Sequence, residues 1–288
     1  MEKFQLFIQL TRLNKPIGFL LLFWPCAWGL SLAYYFNNLN FIFFKHLILF
    51  FLGSVFMRSA GCIFNDIVDK DLDKKVKRTK KRPIASGKIS IFEALFYVII
   101  LCLLSLTILL QFNWLTISLG FGSMFFAFAY PFMKRITYWP QLFLGLTFNW
   151  GIIMGWTSFA NQISIEPLVL YLSAIFWTLG YDTIYGLQDV NDDEIIGVKS
   201  TSIKFKNNNV KIFVGSCYFL CILFILIMFQ IMNLSNYILL LAIPFIISLA
   251  YQLKMFNKNN PKSCMKAFKA NNISGAMIFL FILSFNLI

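Results

Sequence analysis

Polar residues cut this chain into apolar runs of close to 20 residues, the length a helix needs to cross about 30 Å of hydrocarbon. The runs predict helices near residues 17–36, 44–64, 91–111, 115–132, 138–160, 166–187, 212–232, 236–253 and 271–288. No linker rich in Gly, Ser or Pro separates them, so residues 1–288 read as a single all-α domain, an integral membrane bundle of about nine transmembrane helices.

Orientation follows from the basic residues, which mark cytoplasmic loops. With the N-terminus inside, the inner segments hold Lys3, Arg12 and Lys15, then Lys70 to Lys88, Lys134 and Arg135, Lys199 to Lys211, and Lys254 to Lys269. Only Lys45 falls in an outer loop. One crossing more or fewer would move whole basic loops to the wrong side, which supports nine. The two long inner loops, after the second and sixth helices, have room for chemistry, so function is expected to face the cytoplasm. Neither a cleaved export signal nor an Arg- and Ser-rich transit peptide is recognisable at the start, and a bacterial inner membrane is the expected location.

Composition sharpens this reading. With 59% hydrophobic and 13% charged residues and a mean hydropathy of +0.73, a soluble globule is excluded. The net charge of +13 does not signal nucleic acid, because the cations sit in short loops between apolar runs. Six cysteines without a CxxC pair, most within apolar runs, predict neither disulfide nor zinc.

The 12 acidic residues are distributed unevenly, and eight fall in two places: Asp66, Asp69, Asp71 and Asp73, then Asp189, Asp192, Asp193 and Glu194. At about 100° per residue, Asn65, Asp69 and Asp73 share a face within about 80°, and Asp189 and Asp193 stand one turn apart. Asp71 and Asp192 lie off these faces and read as solvated. Carboxylates gathered at the edge of a low-dielectric region repel one another unless a cation compensates. All-oxygen ligands with no His or Cys suit a hard ion, and Mg²⁺ bridging a diphosphate fits best. One such cluster could equally be a solvated helix end; two opening to the same side favour the metal.

Among the cations, Lys134 and Arg135 stand beside a helix end with Tyr130 one turn before Lys134, well placed to clamp phosphate oxygens. The stretch Lys80 to Lys88 adds Arg82, whereas Lys74, Lys75, Lys77, Lys80 and Lys81 read as loop charges obeying the inside rule. Arg58 lies two turns deeper than Asn65 in the second apolar run, where an unpaired charge is costly. It is expected to meet a carboxylate of the protein or of a substrate. His46, the only histidine, lies at the outer end of that run and reads as interfacial.

Five stretches together resemble the intramembrane prenyltransferases of the UbiA superfamily: Arg12 to Gly29, Met57 to Asp73, Arg82 to Ser90, Tyr130 to Gly145 and Tyr181 to Thr201. The resemblance implies a nine-helix bundle with a lateral opening to lipid and two Mg²⁺ ions bridging a diphosphate. It implies Asn65, Asp69, Asp73, Asp189 and Asp193 as metal ligands, and Arg58, Tyr130, Lys134, Arg135, Arg82 and Tyr185 as substrate-binding residues. Lys134, Arg135, Asp69 and Asp189 would be catalytic. The reaction implied joins a polyprenyl group, leaving its diphosphate as an allylic cation, to the ring carbon ortho to the hydroxyl of 4-hydroxybenzoate, a step of ubiquinone biosynthesis. Where the family word usually continues YAM or YAL, this chain has Tyr185, Gly186 and Leu187. Other acceptors (haem, a naphthoate, homogentisate) stay open, as does a cation-coupled transporter, although transporter sites usually lie near the midplane.

Overall fold

The computed structural model describes residues 2–37, 40–206 and 209–287. Met1 and Ile288, the ends of the domain read from the sequence, lie outside them. An amphipathic α1 (Glu2–Thr11) precedes α2 (Ile17–Asn37), α3 (Asn40–Val68) and the single turn α4 (Lys70–Asp73). After a long loop come α5 (Ile91–Leu109), α6 (Trp114–Ile136), α7 (Pro140–Asn149), α8 (Gly151–Ala160) and α9 (Ile165–Gly186). A second loop carries the short α10 (Val190–Ile195) and α11 (Thr201–Phe205). The chain ends with α12 (Val210–Ile231), a 3₁₀ segment (Asn236–Ala242) running into α13 (Ile243–Met255), and α14 (Pro261–Leu283). Helices α7 and α8 form one span interrupted at Trp150, and the described residues contain nine helical spans long and apolar enough to cross a membrane.

Several helix boundaries differ from the sequence reading, among them the end of α6, which runs to Ile136 and so carries Lys134 and Arg135 on the helix, and two more bear on the site and the core. The last span starts at Pro261 rather than near residue 271, because Asn260 caps the N–H groups of Lys262 and Ser263, and Cys264, Ala267 and Asn271 of the polar first half are buried. Asn271 accepts a hydrogen bond from Trp177 Nε1 at 2.9 Å, which makes that polar stretch an interior surface. Helix α3 continues past residue 64 to Val68 and so carries the start of the first acidic cluster on rigid structure.

The spans are unequally packed. Helices α2, α8, α9, α12 and α14 share the main core around Trp28, Trp156, Trp177 and Tyr218. Helices α2 and α8 cross almost backbone to backbone: a Cβ at Gly29 would lie 2.0 Å from the Ile152 carbonyl oxygen, and one at Gly155 2.3 Å from that of Cys26. Small residues permit such approach where lipid offers no hydrophobic drive. Helices α5 and α6, by contrast, meet each other at few points and present Phe92, Phe96, Phe121 and Phe125 outward. Between this thin side and the dense core lies the principal cavity.

Candidate functional site

The cavity holds about 740 Å³ and changes character along its length. Its inner reach is walled by Leu49, Phe50, Leu106, Leu109, Phe112 and Phe121. Its mouth, at the end where α3 and α9 deliver the acidic clusters, is lined by Arg12, Lys15, Arg58, Arg78 and Arg82, with Asn65, Tyr130, Asp182 and Tyr185. Burial lowers the Lys15 ammonium below its usual range, and Arg12, Arg78, Arg82 and Lys269 push it the same way. This end therefore carries surplus positive charge and suits an anion.

The loop after α4 is anchored by its own apolar residues. Ile84 and Ile89 are buried with Leu10 of α1, Ala60 and Ile63 of α3, and Ala94 and Val98 of α5. Ser90 caps α5 by accepting from Glu93 N, and Gly87 turns the backbone at φ 77°. Arg82 is thereby carried back over the end of α3, where Nη1 donates to Asp66 Oδ1 at 3.0 Å and to Asp73 Oδ2 at 2.8 Å. Arg12, with φ 57°, donates to Asp66 Oδ1 at 2.5 Å from the other side.

The first cluster holds its register through the end of α3. Asp69 N donates to Asn65 O at 2.9 Å and Asp73 N to Asp69 O at 2.8 Å, so Asn65, Asp69 and Asp73 stack one turn apart. Asp69 is almost fully buried, which raises its carboxyl above the usual range against the opposing pull of Lys134. Lys134 donates to Asp69 Oδ2, Arg135 Nη2 caps the α3 carbonyl of Val68 at 2.6 Å, and Asn65 Nδ2 donates to Asp69 Oδ2 at 3.0 Å. Asp71, with a side chain 88% exposed, pairs with Lys74.

The second cluster follows α9. Gly186 is required there because a Cβ would meet Ser202 Oγ at 2.3 Å, which explains the glycine in that word of this sequence. Asp193 N donates to Asp189 O at 2.9 Å, placing the two carboxylates one turn apart. Arg78 grips Asp189 with two nitrogens, Nε to Oδ1 at 2.8 Å and Nη2 to Oδ2 at 2.5 Å. Burial works to lower Arg78, but its bonds to Asp189 together with the fields of Tyr185 and Asp189 raise it above its ordinary value. Asp193 is raised to about 6 by burial and by Asp189, opposed by Lys134 and Arg78. Lys199 N donates to Lys134 O at 2.8 Å, tying this loop to the end of α6.

The structure brings Asn65, Asp69, Asp73, Arg82, Lys134 and Arg135 into contact around the end of α3, with Asp189 and Asp193 on the loop after α9, whereas His46 lies at the opposite end of α3, packed on Phe112. Tyr130 and Tyr185 line the cavity mouth, and Arg58 lies deeper with its guanidinium 5.1 Å over the Phe148 ring. Gly18 makes room for Arg58, since a Cβ there would come within 3.0 Å of Nε. That Nε is buried without a hydrogen-bond partner, and Arg58 forms no ion pair among the described residues. The aspartates themselves stand behind the cations that line the cavity. Among the described residues no three of them close on one point, and the cations neutralise them instead.

Arg12 and Arg78 escaped the sequence reading. A signal was present: the chain has 20 lysines and only five arginines, and all five (Arg12, Arg58, Arg78, Arg82 and Arg135) stand at this site. Guanidinium groups suit forked recognition of carboxylate and phosphate where ammonium groups do not.

Residues 22–282 match the model of the UbiA prenyltransferase family. The chain belongs to the UbiA prenyltransferase family. Among curated UbiA relatives, it is 40% identical to the mitochondrial 4-hydroxybenzoate polyprenyltransferase of Drosophila melanogaster over 95% of this chain and 69% of that protein. It is 41% identical to the 4-hydroxybenzoate octaprenyltransferase of Psychromonas ingrahamii over 96% of this chain and 95% of that protein. The fold matches a UbiA homologue of Aeropyrum pernix K1 with a TM-score of 0.76 at 22% identity, covering 92% of this chain and 96% of the other. It also matches a UbiA homologue of Archaeoglobus fulgidus bound to GPP and Mg²⁺, with a TM-score of 0.71 at 17% identity over 98% of this chain and 100% of the other. As a UbiA member this protein is a transferase and a multi-pass membrane protein.

Proposed function

We propose that this enzyme transfers a polyprenyl group from polyprenyl diphosphate to the carbon ortho to the hydroxyl of 4-hydroxybenzoate, releasing diphosphate, as a step of ubiquinone biosynthesis. The observation that carries the reading is a cavity with an arginine-rich end suited to an anion and an apolar far end. It matches a substrate with a charged head and a hydrocarbon tail. The names of the curated relatives supply the acceptor.

A divalent cation fits the residues present. Asp69 Oδ1 is buried without a hydrogen-bond partner, and the side chain of Asp193 makes no hydrogen bond among the described residues. The donors are all oxygens, which suits Mg²⁺. Asn65, Asp69, Asp73, Asp189 and Asp193 would hold it, as two ions. When bound, Mg²⁺ neutralises charge on the diphosphate as it leaves.

The chain's own residues do the rest. Arg12, Lys15, Arg78 and Arg82 bind phosphate oxygens at the mouth, and Lys134 and Arg135 with Tyr130 and Tyr185 orient the head group. The allylic C–O bond breaks with its electron pair passing to the diphosphate, the ring carbon attacks the resulting cation, and the ring proton leaves. Arg58, with its spare donor, takes the acceptor's carboxylate. The apolar walls exclude water that would quench the cation. The tail leaves between α5 and α6 into lipid, and the charged loops lie on the cytoplasmic side of a bacterial inner membrane.

Reconstituted protein incubated with labelled prenyl diphosphate and separate acceptors (4-hydroxybenzoate, a naphthoate, homogentisate, haem) tests this. A carbon-linked product with 4-hydroxybenzoate is expected. Product with a different acceptor alone would overturn the substrate assignment, and cation flux into liposomes without any product would overturn the enzyme class.

A further inference from the structure

Asp66 belongs by sequence to the first acidic cluster, yet on the helix it stands about 100° from Asn65 and about 60° from Asp69, at the edge of the face they share with Asp73. Its surroundings also differ. It is 1% exposed, and its Oδ1 accepts from both Arg12 at 2.5 Å and Arg82 at 3.0 Å. Arg12 comes from the junction of α1 and α2, and Arg82 from the loop before α5, so one carboxylate joins three separate parts of the chain. Arg12 adopts φ 57°, a conformation that costs a non-glycine residue about 1 kcal/mol or more and is kept only where contacts over-determine it. Both arginines line the cavity mouth, while Asp66 does not.

We propose that Asp66 is a positioning residue for the substrate's anionic head and not a metal ligand: it fixes Arg12 and Arg82 so that their remaining N–H donors face the cavity. A guanidinium carries five donors. Arg82 uses Nη1 on Asp66 and Asp73, and Arg12 uses Nη2 on Asp66. The remaining donors are held by a buried anchor and need no reorganisation when an anion arrives. A metal at Asp66 would have to displace two arginines from a carboxylate that is otherwise enclosed, whereas Asp69 keeps a buried oxygen without a hydrogen-bond partner.

This inference rests on the reading of the site as a prenyl diphosphate site. The test compares Asp66→Asn with Asp69→Asn in the full chain reconstituted in liposomes. Asp66→Asn is expected to raise KM for the prenyl diphosphate by about tenfold or more, the scale of a lost charge-assisted contact. The Mg²⁺ concentration for half-maximal rate and the KM for the aromatic acceptor should stay within about twofold of wild type, the scatter expected of sites that do not share a partner. A readout independent of turnover is Mn²⁺ titration by electron paramagnetic resonance with inorganic diphosphate present. Affinity for Mn²⁺ should fall in Asp69→Asn and hold in Asp66→Asn. Arg12→Gln with Arg82→Gln, which leaves Asp66 in place, should reproduce the KM defect and decides the matter if Asp66→Asn does not insert. An unchanged donor KM in the arginine variant, or weakened Mn²⁺ binding in Asp66→Asn equal to that in Asp69→Asn, would overturn the proposal. Absence of turnover in wild type would instead overturn the functional reading on which it rests.

Discussion

The two acidic clusters stand behind the arginines of the same cavity mouth but are built differently. The first is buried: Asp66, Asp69 and Asp73 all lie beneath the surface at the end of a 29-residue helix, each held by a cation from another part of the chain. The second stands at a six-residue helix with no buried residue, and its main partner, Arg78, sits on the loop between α4 and α5 with a side chain 40% exposed. Burial makes the first cluster expensive to rearrange, because stripping one partner leaves an uncompensated charge. The second is less enclosed, so exchanging its partners costs less, because water reaches the Arg78 side. A fixed half and an exchangeable half together make a site that can admit a charged ligand and still hold it in one geometry.

The strongest challenge to this contrast is removal of the cation. Chelation of divalent ions should reduce turnover below detection and added Mg²⁺ should restore it; full activity in chelator would eliminate the metal from both halves. Next, Asp69→Ala and Asp189→Ala should each lower kcat/KM by about 10³-fold or more, the scale of losing a principal electrostatic contributor to the transition state. The two should part in stability: Asp69→Ala strands Lys134 and is expected to lower the thermal midpoint in detergent, whereas Asp189→Ala should leave it nearly unchanged. Equal midpoints would remove the distinction between the halves.

Smaller effects probe the loops. Gly186→Ala pushes a Cβ onto Ser202 Oγ, so a several-fold rise in the Mg²⁺ requirement is expected, on the scale of about 1 kcal/mol of local strain, with recovery in the double variant Gly186→Ala, Ser202→Gly. Failure of the second change to restore activity would show that the glycine matters for some other reason. Least of all, replacing Lys74, Lys80 and Lys81 by Gln should alter kcat/KM by no more than about twofold in neutral lipid, because exposed charges contribute little.

The extent to which the sequence disclosed this arrangement follows from the range of the interactions involved. Run length located the nine spans, and i, i+4 spacing grouped Asn65 with Asp69 and Asp73, because both are properties of a single helix. The pairing of Arg12 with Asp66 spans 54 residues and that of Arg78 with Asp189 spans 111, distances over which periodicity carries no information. Helix α1 lies before the first predicted helix, and its ten residues are too few for a span; its apolar side is used against α3 and α5, with Phe7 packed on Tyr97. The carboxylate expected for Arg58 is met only at a distance: Asp182 lines the same cavity and feels the Arg58 charge, but the two form no ion pair among the described residues.

The confinement of all five arginines to one place gives the molecule a chemical address. Dicarbonyl reagents that modify guanidinium groups and spare ammonium groups would label this protein only around its cavity mouth, although 20 lysines are spread over its loops. Protection from such labelling by a bound diphosphate would report occupancy in native membranes without purification, assay or a substituted residue.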